Sequence, residues 1–506
     1  MPSQQMLPMT CHILVVASAL LVGLLPFRAD CQETSHSSIA DACQQRKFQL
    51  VANLIDTKAD INAIQNDGMS ALHWATFHDK AELVSELITA GARVSSPTKY
   101  GITPITLACQ NGSTRIAKLL LRHGADPNRV RDGRESVLAT AARTGSVGLV
   151  EVLLAAGAEI DHTDQRGQTA LMWASAEGNT EVVKLLLQHN ANRSATLQSG
   201  FTAFAFAVRN GHIDIVELFI NDQADINQTL QEPNSAKGKD SSGISPLMLA
   251  IENGHFELAL ILINAGADPN DARTGFAPLH ALSWVRKPEI GDNQRGNPPP
   301  RGSGNLSSLA FAKALVEHGA DVNVAKRSNG GGRLRISVKG ATPFLCAAST
   351  ADVAYMETLL ALGADPTATT SKRQNALMMA AGIDEGPNAD GPGTAEEHLA
   401  AVNYLIELNT HDLDATDANG QSIMHAAAYK SLPNVIELFD QLGANINVWN
   451  RKNKQGRTPL AIARGNRPGN FKPDFKTEQA ILKVMKRHGV VIPPPNPPQQ
   501  EDWKKK

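Results

Sequence analysis

Residues 103–128 read TPITLACQNGSTRIAKLLLRHGADPN, and the main features of this stretch return every 33 residues. The alanine of its GAD ending recurs at Ala92, Ala125, Ala158, Ala191 and Ala224. The polar residue that opens it keeps the same interval through Ser70, Thr103, Ser136, Thr169 and Thr202, as does the glycine of Gly112, Gly145, Gly178 and Gly211. Three registers sharing one period mark a repeat architecture, in which each unit is too small to bury its own apolar face and stacks on its neighbours.

The chemistry of one unit predicts its shape. Thr103 is placed to cap a helix, and Pro104 at the first helical position loses no hydrogen bond and presets its φ. Leu107 and Ala108 face inward. After Gly112, residues Ile116, Leu119 and Leu120 recur at helical spacing, and His123-Gly124 supplies a left-handed stop. Asp126-Pro-Asn128 then turns the chain into a hairpin-like finger that leads to the next unit. The expected fold is an all-α solenoid of helix–turn–helix units joined by fingers.

The opening motif reads Ser70-Ala-Leu-His-Trp-Ala75, Thr103-Pro-Ile-Thr-Leu-Ala108, Thr169-Ala-Leu-Met-Trp-Ala174, Ser245-Pro-Leu-Met-Leu-Ala250, Ala277-Pro-Leu-His280, Thr342-Pro-Phe-Leu-Cys-Ala347 and Thr458-Pro-Leu-Ala-Ile-Ala463. Weaker copies begin at Ser136, Thr202, Asn375 and Ser422. These residues resemble the T-P-L-H-x-A motif of the ankyrin repeat. The resemblance spans residues 37–492, about eleven units behind an N-terminal half-repeat from Ser37 to Asn66. The segments TALMWASAEG, LHALSWVR, GATPFLCAASTADVAYMETLLALGADP and GRTPLAIARG look like exported ankyrin-repeat proteins of bacteria. That likeness implies a periplasmic or secreted interaction protein with a protein partner. It transfers no catalytic residue and names no partner.

A chain of 506 residues with only 5% aromatic content suits a solenoid, whose Leu- and Ala-rich core grows in one dimension. The net charge of −2 exerts no global pull on nucleic acid, and no nucleic-acid partner is expected. Residues 451–506 nevertheless hold 14 Lys and Arg against 4 Asp and Glu. A solvated capping face followed by a disordered Pro/Lys tail at 493–506 explains that excess. The alternative is a basic C-terminal end that binds an anionic membrane surface or nucleic acid.

Residues 13–27 form an almost wholly apolar run of secretory h-region length, followed by a polar, Ser-rich exit. The reading is a signal peptide over 1–29, a linker over 30–36 and export of the mature chain. Retention of residues 13–27 as a membrane anchor is the alternative, and only then is a membrane partner expected. Cys43, Cys109 and Cys346 read as small buried hydrophobes, and Cys31 with Cys43 is close enough in sequence to pair.

No nucleophile elbow, phosphate loop or H-E-x-x-H motif occurs, so no enzyme, cofactor or metal site is expected. The histidines follow the repeat register: His73, His280 and His425 in the opening motif, His123, His189 and His318 before the outer-helix stop, His212 and His255 at outer-helix starts. Trp74 and Trp173 share one position with Leu107, Phe206 and Leu249 and read as core. Insertions break the period near 228–242, 286–306, 326–339 and 384–397, with the composition of either binding loops or neutral spacers.

The residues free of packing duty are those ending the inner helices and tipping the fingers. Aromatic and Arg side chains are the usual interface anchors. Phe77, Tyr100, Arg143, Arg166, Phe201 and Arg209 are therefore the candidate partner-binding residues of a monomeric scaffold.

Overall fold

The computed structural model describes residues 38–130, 135–230, 243–288, 300–327, 339–383, 392–410, 412–466 and 473–494. Among them are 25 helices, arranged as twelve antiparallel pairs and one single-turn helix, Ile446–Trp449. The only extended pairings among the described residues are isolated bridges such as Ile64 with Ser70. Each pair contributes a short inner helix, such as Pro104–Gln110, and an outer helix, such as Thr114–Arg122. Except at the last unit, successive inner helices contact one another more extensively than successive outer helices, which makes the inner-helix side the closer-packed, concave one. The segment read as an N-terminal half-repeat holds both helices of a pair, Ile39–Gln44 and Phe48–Asp56. The former starts with a reciprocal cap between Ser38 and Asp41.

Inner helices begin on the expected hydroxyl caps. Ser136, Thr169, Thr202, Ser245, Thr342 and Thr458 each accept a backbone N–H from the first turn. Thr103 departs from that expectation: its hydroxyl lies 3.0 Å from that of Thr106 and makes no backbone cap. Thr106 occupies the position that is histidine in other copies, and its short side chain turns back on Thr103.

Where the motif does carry histidine, the ring joins two units. The backbone N–H of Ser70, Ala277 and Ser422 donates to Nδ1 of His73, His280 and His425. Nε2 of each ring then donates to a carbonyl of the following finger, Ile102 at 3.2 Å, Ala341 at 3.0 Å and Arg451 at 3.0 Å. Burial holds all three imidazoles neutral, pushing His280 and His425 down to about 4.

Two further ladders run between units. Asn179, His212 and His255, at the starts of outer helices, donate back to carbonyls near the ends of preceding inner helices: Ala142 at 2.8 Å, Ala176 at 3.0 Å and Arg209 at 3.0 Å. Such carbonyls lie in the last turn, where the helix supplies few partners of its own; that of Ala142 also accepts the N–H of the C-cap Gly145 at 3.4 Å. At the fingers, Asn62, Asn128, Asn227, Asn270 and Asn323 donate side-chain amides to the glycine carbonyls of the next unit, at 2.8–3.2 Å.

The core is one continuous apolar seam of Leu, Ala, Val and Ile running from Ile39 to Met485. Cys43, Cys109 and Cys346 lie fully buried within it, and burial pushes the Cys43 and Cys346 thiols up to about 12. The signal-peptide, linker and Cys31 readings concern residues outside those described.

The insertions contain ordered parts. Leu230 is fully buried and pairs with Ile244, closing the base of the 228–242 insertion. Residues 300–306 pack on the unit ahead: the Ser303 N–H donates to Nδ1 of His255 at 2.9 Å, and Glu257 Oε1 accepts the N–H groups of Asn305 and Leu306 at 2.7 and 3.1 Å. Lys326 is buried at the start of the third insertion. Residues 394–397 are the capped beginning of the outer helix Ala395–Glu407, so the last insertion ends earlier than its spacing suggests. Arg286 pairs bidentately with Asp352 at 2.7 and 3.0 Å, joining two successive units.

Candidate functional site

The inner-helix ends and finger tips of the first units form a strip on the concave side. The positions 33 residues apart along this strip are Phe77, Gln110, Arg143, Ala176 and Arg209. At its N-terminal end, Ile64, Phe77 and Tyr100 are 63%, 45% and 65% exposed; the other exposed large apolar side chains among the described residues, Leu50, Leu442, Phe475 and Val491, are scattered along the chain. Phe77 lies edge-on to Trp74 at 5.6 Å, and Trp74 is fixed by donation from Nε1 to Gln65 Oε1 at 2.7 Å.

The six candidate residues differ in their surroundings. Tyr100 and Arg166 are exposed on fingers, with the Arg166 backbone held by Asp164 Oδ1 at 2.8 Å. Arg143 is half-buried, its guanidinium 5.6 Å from the Trp173 ring centroid and its Nε 3.5 Å from Glu135. Phe201 packs edge-on against Phe206 at 5.5 Å, and the Arg209 guanidinium lies 5.6 and 5.0 Å from the two ring centroids. Arg143, Phe201 and Arg209 thus pack locally, where the sequence placed them as free of packing duty. The reason is reach: an arginine or finger phenylalanine folds across the strip onto the aromatic of its own or the next unit.

Trp74 and Trp173 pack against the core as expected, though less completely than their register partners. Leu107, Phe206 and Leu249 at the same register are buried, whereas both tryptophans are half-buried and surface in the strip. An indole is too large for the space that leucine fills between adjacent inner helices. Trp284 is half-buried too, edge-on to Phe276 at 5.0 Å, an aromatic floor that sequence reading passed over.

Arg209 stands apart electrostatically. Burial lowers the affinity of its guanidinium for the proton, and among the described residues its polar partner is the Asn210 amide oxygen at 3.4 Å. No carboxylate among the described residues pairs with it.

At the other end of the chain, Arg451, Lys452 and Lys454 are exposed on the last finger. Backbone bonds from Ser371 to Lys339, Ala418 to Lys372 and Lys454 to Asn419, at 2.8–2.9 Å, align the preceding fingers with it. Arg327, Lys339 and Arg373 are exposed on those fingers, so the cationic row starts well before residue 451. Composition by segment hid this, because the row is assembled by stacking. Among the described residues, no group of three or more His, Cys, Asp or Glu side chains could hold a metal ion. No helix among them is long and apolar enough to cross a membrane.

A periodic stack of paired helices, hydroxyl caps and bridging fingers defines a repeat protein of the solenoid class. The repeats of the first half match ankyrin repeats: the family model for ankyrin repeats (3 copies) matches residues 39–131 and 138–229, and the single ankyrin repeat model matches residues 242–275. The architecture is an all-α ankyrin solenoid, and repeats of this kind serve protein–protein binding. Among solved structures, the human ASB11 ankyrin repeat domain is similar at 25% identity and TM-score 0.40, over 46% of this chain and 98% of that one. No curated protein matches the chain.

Proposed function

We propose that this chain is a non-catalytic, monomeric scaffold that binds a protein through the concave strip between Phe77 and Arg209, in the cell envelope or outside the cell. The observation that carries the reading is exposure at a defined place. Ile64, Phe77 and Tyr100 present large apolar surface beside the half-buried Trp74, while the interior of the same units is sealed. Exposed aromatic side chains on a rigid frame are typical anchors of a protein interface. The apolar run at 13–27 supports export.

The test is capture of a partner from envelope extract with the mature chain, followed by alanine replacement of Phe77 and Tyr100. Each change is expected to weaken binding by about 1–2 kcal/mol while leaving the urea midpoint unchanged. Unaltered binding by both variants would move the interface elsewhere. N-terminal sequencing of the native protein should begin near Asp30; an intact N-terminus in the membrane fraction would establish the anchor instead.

A second reading attaches to the exposed Arg327, Lys339, Arg373, Lys452 and Lys454, which line up on successive fingers. Such a row suits an anionic lipid surface, with attraction that falls steeply as salt rises. Co-sedimentation with anionic and neutral vesicles at low and high salt tests it. Equal recovery with both vesicle types would dismiss it.

A further inference from the structure

We infer that the partner segment seated in the concave strip is acidic and extended, with one carboxylate held by the guanidinium of Arg209. This deepens the scaffold reading and rests on it. Arg209 lies in the last turn of the inner helix Ala203–Asn210, and its guanidinium is 5.6 and 5.0 Å from the ring centroids of Phe201 and Phe206. The two rings, inclined at 64° to each other, cover part of the half-buried group, and its N–H groups on the open side are where the charge can be met. A partly buried cation gains from an anionic partner, yet among the described residues the polar partner of Arg209 is a neutral amide oxygen at 3.4 Å. Arg143, the other strip arginine stacked on an aromatic ring, differs in having Glu135 at 3.5 Å. The anionic group missing from Arg209 is one a partner can supply.

The register around it sets the form of the ligand. Ala176 lies between Arg143 and Arg209 in the strip, beside the half-buried ring of Trp173. A small residue between two arginines leaves room beside the Arg143–Trp173 pair for an apolar side chain next to the carboxylate. Phe77 and Arg209 are four units apart. At 8–10 Å between packed helices the span is about 35 Å, the length of about ten extended residues. The fitting ligand therefore carries an acidic residue at one end and apolar side chains towards the other.

The test uses the full-length chain and fluorescein-labelled peptides of alternating Glu and Leu, with the matching Gln–Leu and Lys–Leu peptides as controls. The Glu–Leu peptide is expected to bind at least about tenfold more tightly than the Gln–Leu peptide. Arg209→Gln should abolish that difference, Arg209→Lys should restore part of it, and Arg122→Gln on an outer helix should leave it intact. Circular dichroism and urea midpoints verify that each variant is folded. Absence of Glu–Leu binding, equal binding of the Glu and Gln peptides, or an unchanged preference in folded Arg209→Gln would each overturn the inference. If Phe77→Ala and Tyr100→Ala weaken all peptides while charge has no effect, the strip remains the interface and only its acidic preference falls. If no variant has an effect, both readings fail.

Discussion

A histidine can do two jobs in a repeat, and the neighbours decide which. His280 and His425 each accept a hydrogen bond from their own helix start and donate one to the next finger, so the neutral ring is the form that fits. Unfolded imidazoles titrate near 6.5, whereas burial holds these two at about 4. Between those values the unfolded chain binds more protons than the folded one. The stability they contribute is complete above about pH 6.5 and is lost as the pH falls towards 4, at a cost on the order of 3 kcal/mol each. Urea midpoints should therefore drop between pH 7.5 and pH 4.5, and the drop should shrink in His280→Gln. A midpoint flat over that interval would mean that the rings are not buried neutral. Gly211 shows a second residue-level constraint: its φ is +76°, and an added Cβ would stand 2.4 Å from His255 Nδ1. Gly211→Ala combines a left-handed backbone with a steric conflict at an inter-unit hydrogen bond, so it should cost about 1–3 kcal/mol in the same urea assay.

The helix pairs themselves lie close to the surface of the sequence, and the inserted segments do not. Ser70, Thr169 and Thr202 announce their helices because capping and apolar spacing are local and repeat with the chain. Residues 300–306 show no such period, since their partners His255 and Glu257 lie nearly fifty positions earlier and the fit depends on folded surfaces. Gly302 makes that dependence tangible: a Cβ there would meet the Gly254 carbonyl oxygen at 1.7 Å. The docked segment gives a prediction at this scale. Glu257→Ala removes the acceptor of the Asn305 and Leu306 N–H groups, which should raise hydrogen exchange at those amides and lower stability by about 1–2 kcal/mol. Exchange at the inner helix Pro278–Arg286 should stay slow. Equal exchange of the two amides in parent and variant would show that the segment does not rest on Glu257. The candidate strip was legible to the same degree. Phe77 and Tyr100 could be placed by register alone, but the stacking of Arg143 on Trp173 depends on a side chain crossing from one unit to the next.

Across the whole molecule, cohesion comes from neighbours. The histidine bridges, finger asparagines and helix-end ladders each join a unit to the one beside it. The Arg286–Asp352 pair likewise links adjacent units in the second half. A stack built this way has no central nucleus whose loss unfolds everything, and its stability is close to a sum of unit and interface contributions. A fragment of residues 38–227 keeps six complete helix pairs and the strip from Phe77 to Arg209. It loses His255, whose Nε2 donates to the Arg209 carbonyl, and it exposes the apolar side of the inner helix Ala203–Asn210. The fragment should therefore fold with helical circular dichroism and a cooperative urea transition, at a lower midpoint than the full chain. Adding residues up to 288, which restores His255 and the next inner helix, should recover much of the difference, because the missing interface is then rebuilt. A fragment of 38–227 without helical signal, or one whose midpoint is unmoved by the extension, would contradict nearest-neighbour cohesion and require long-range coupling between the two halves.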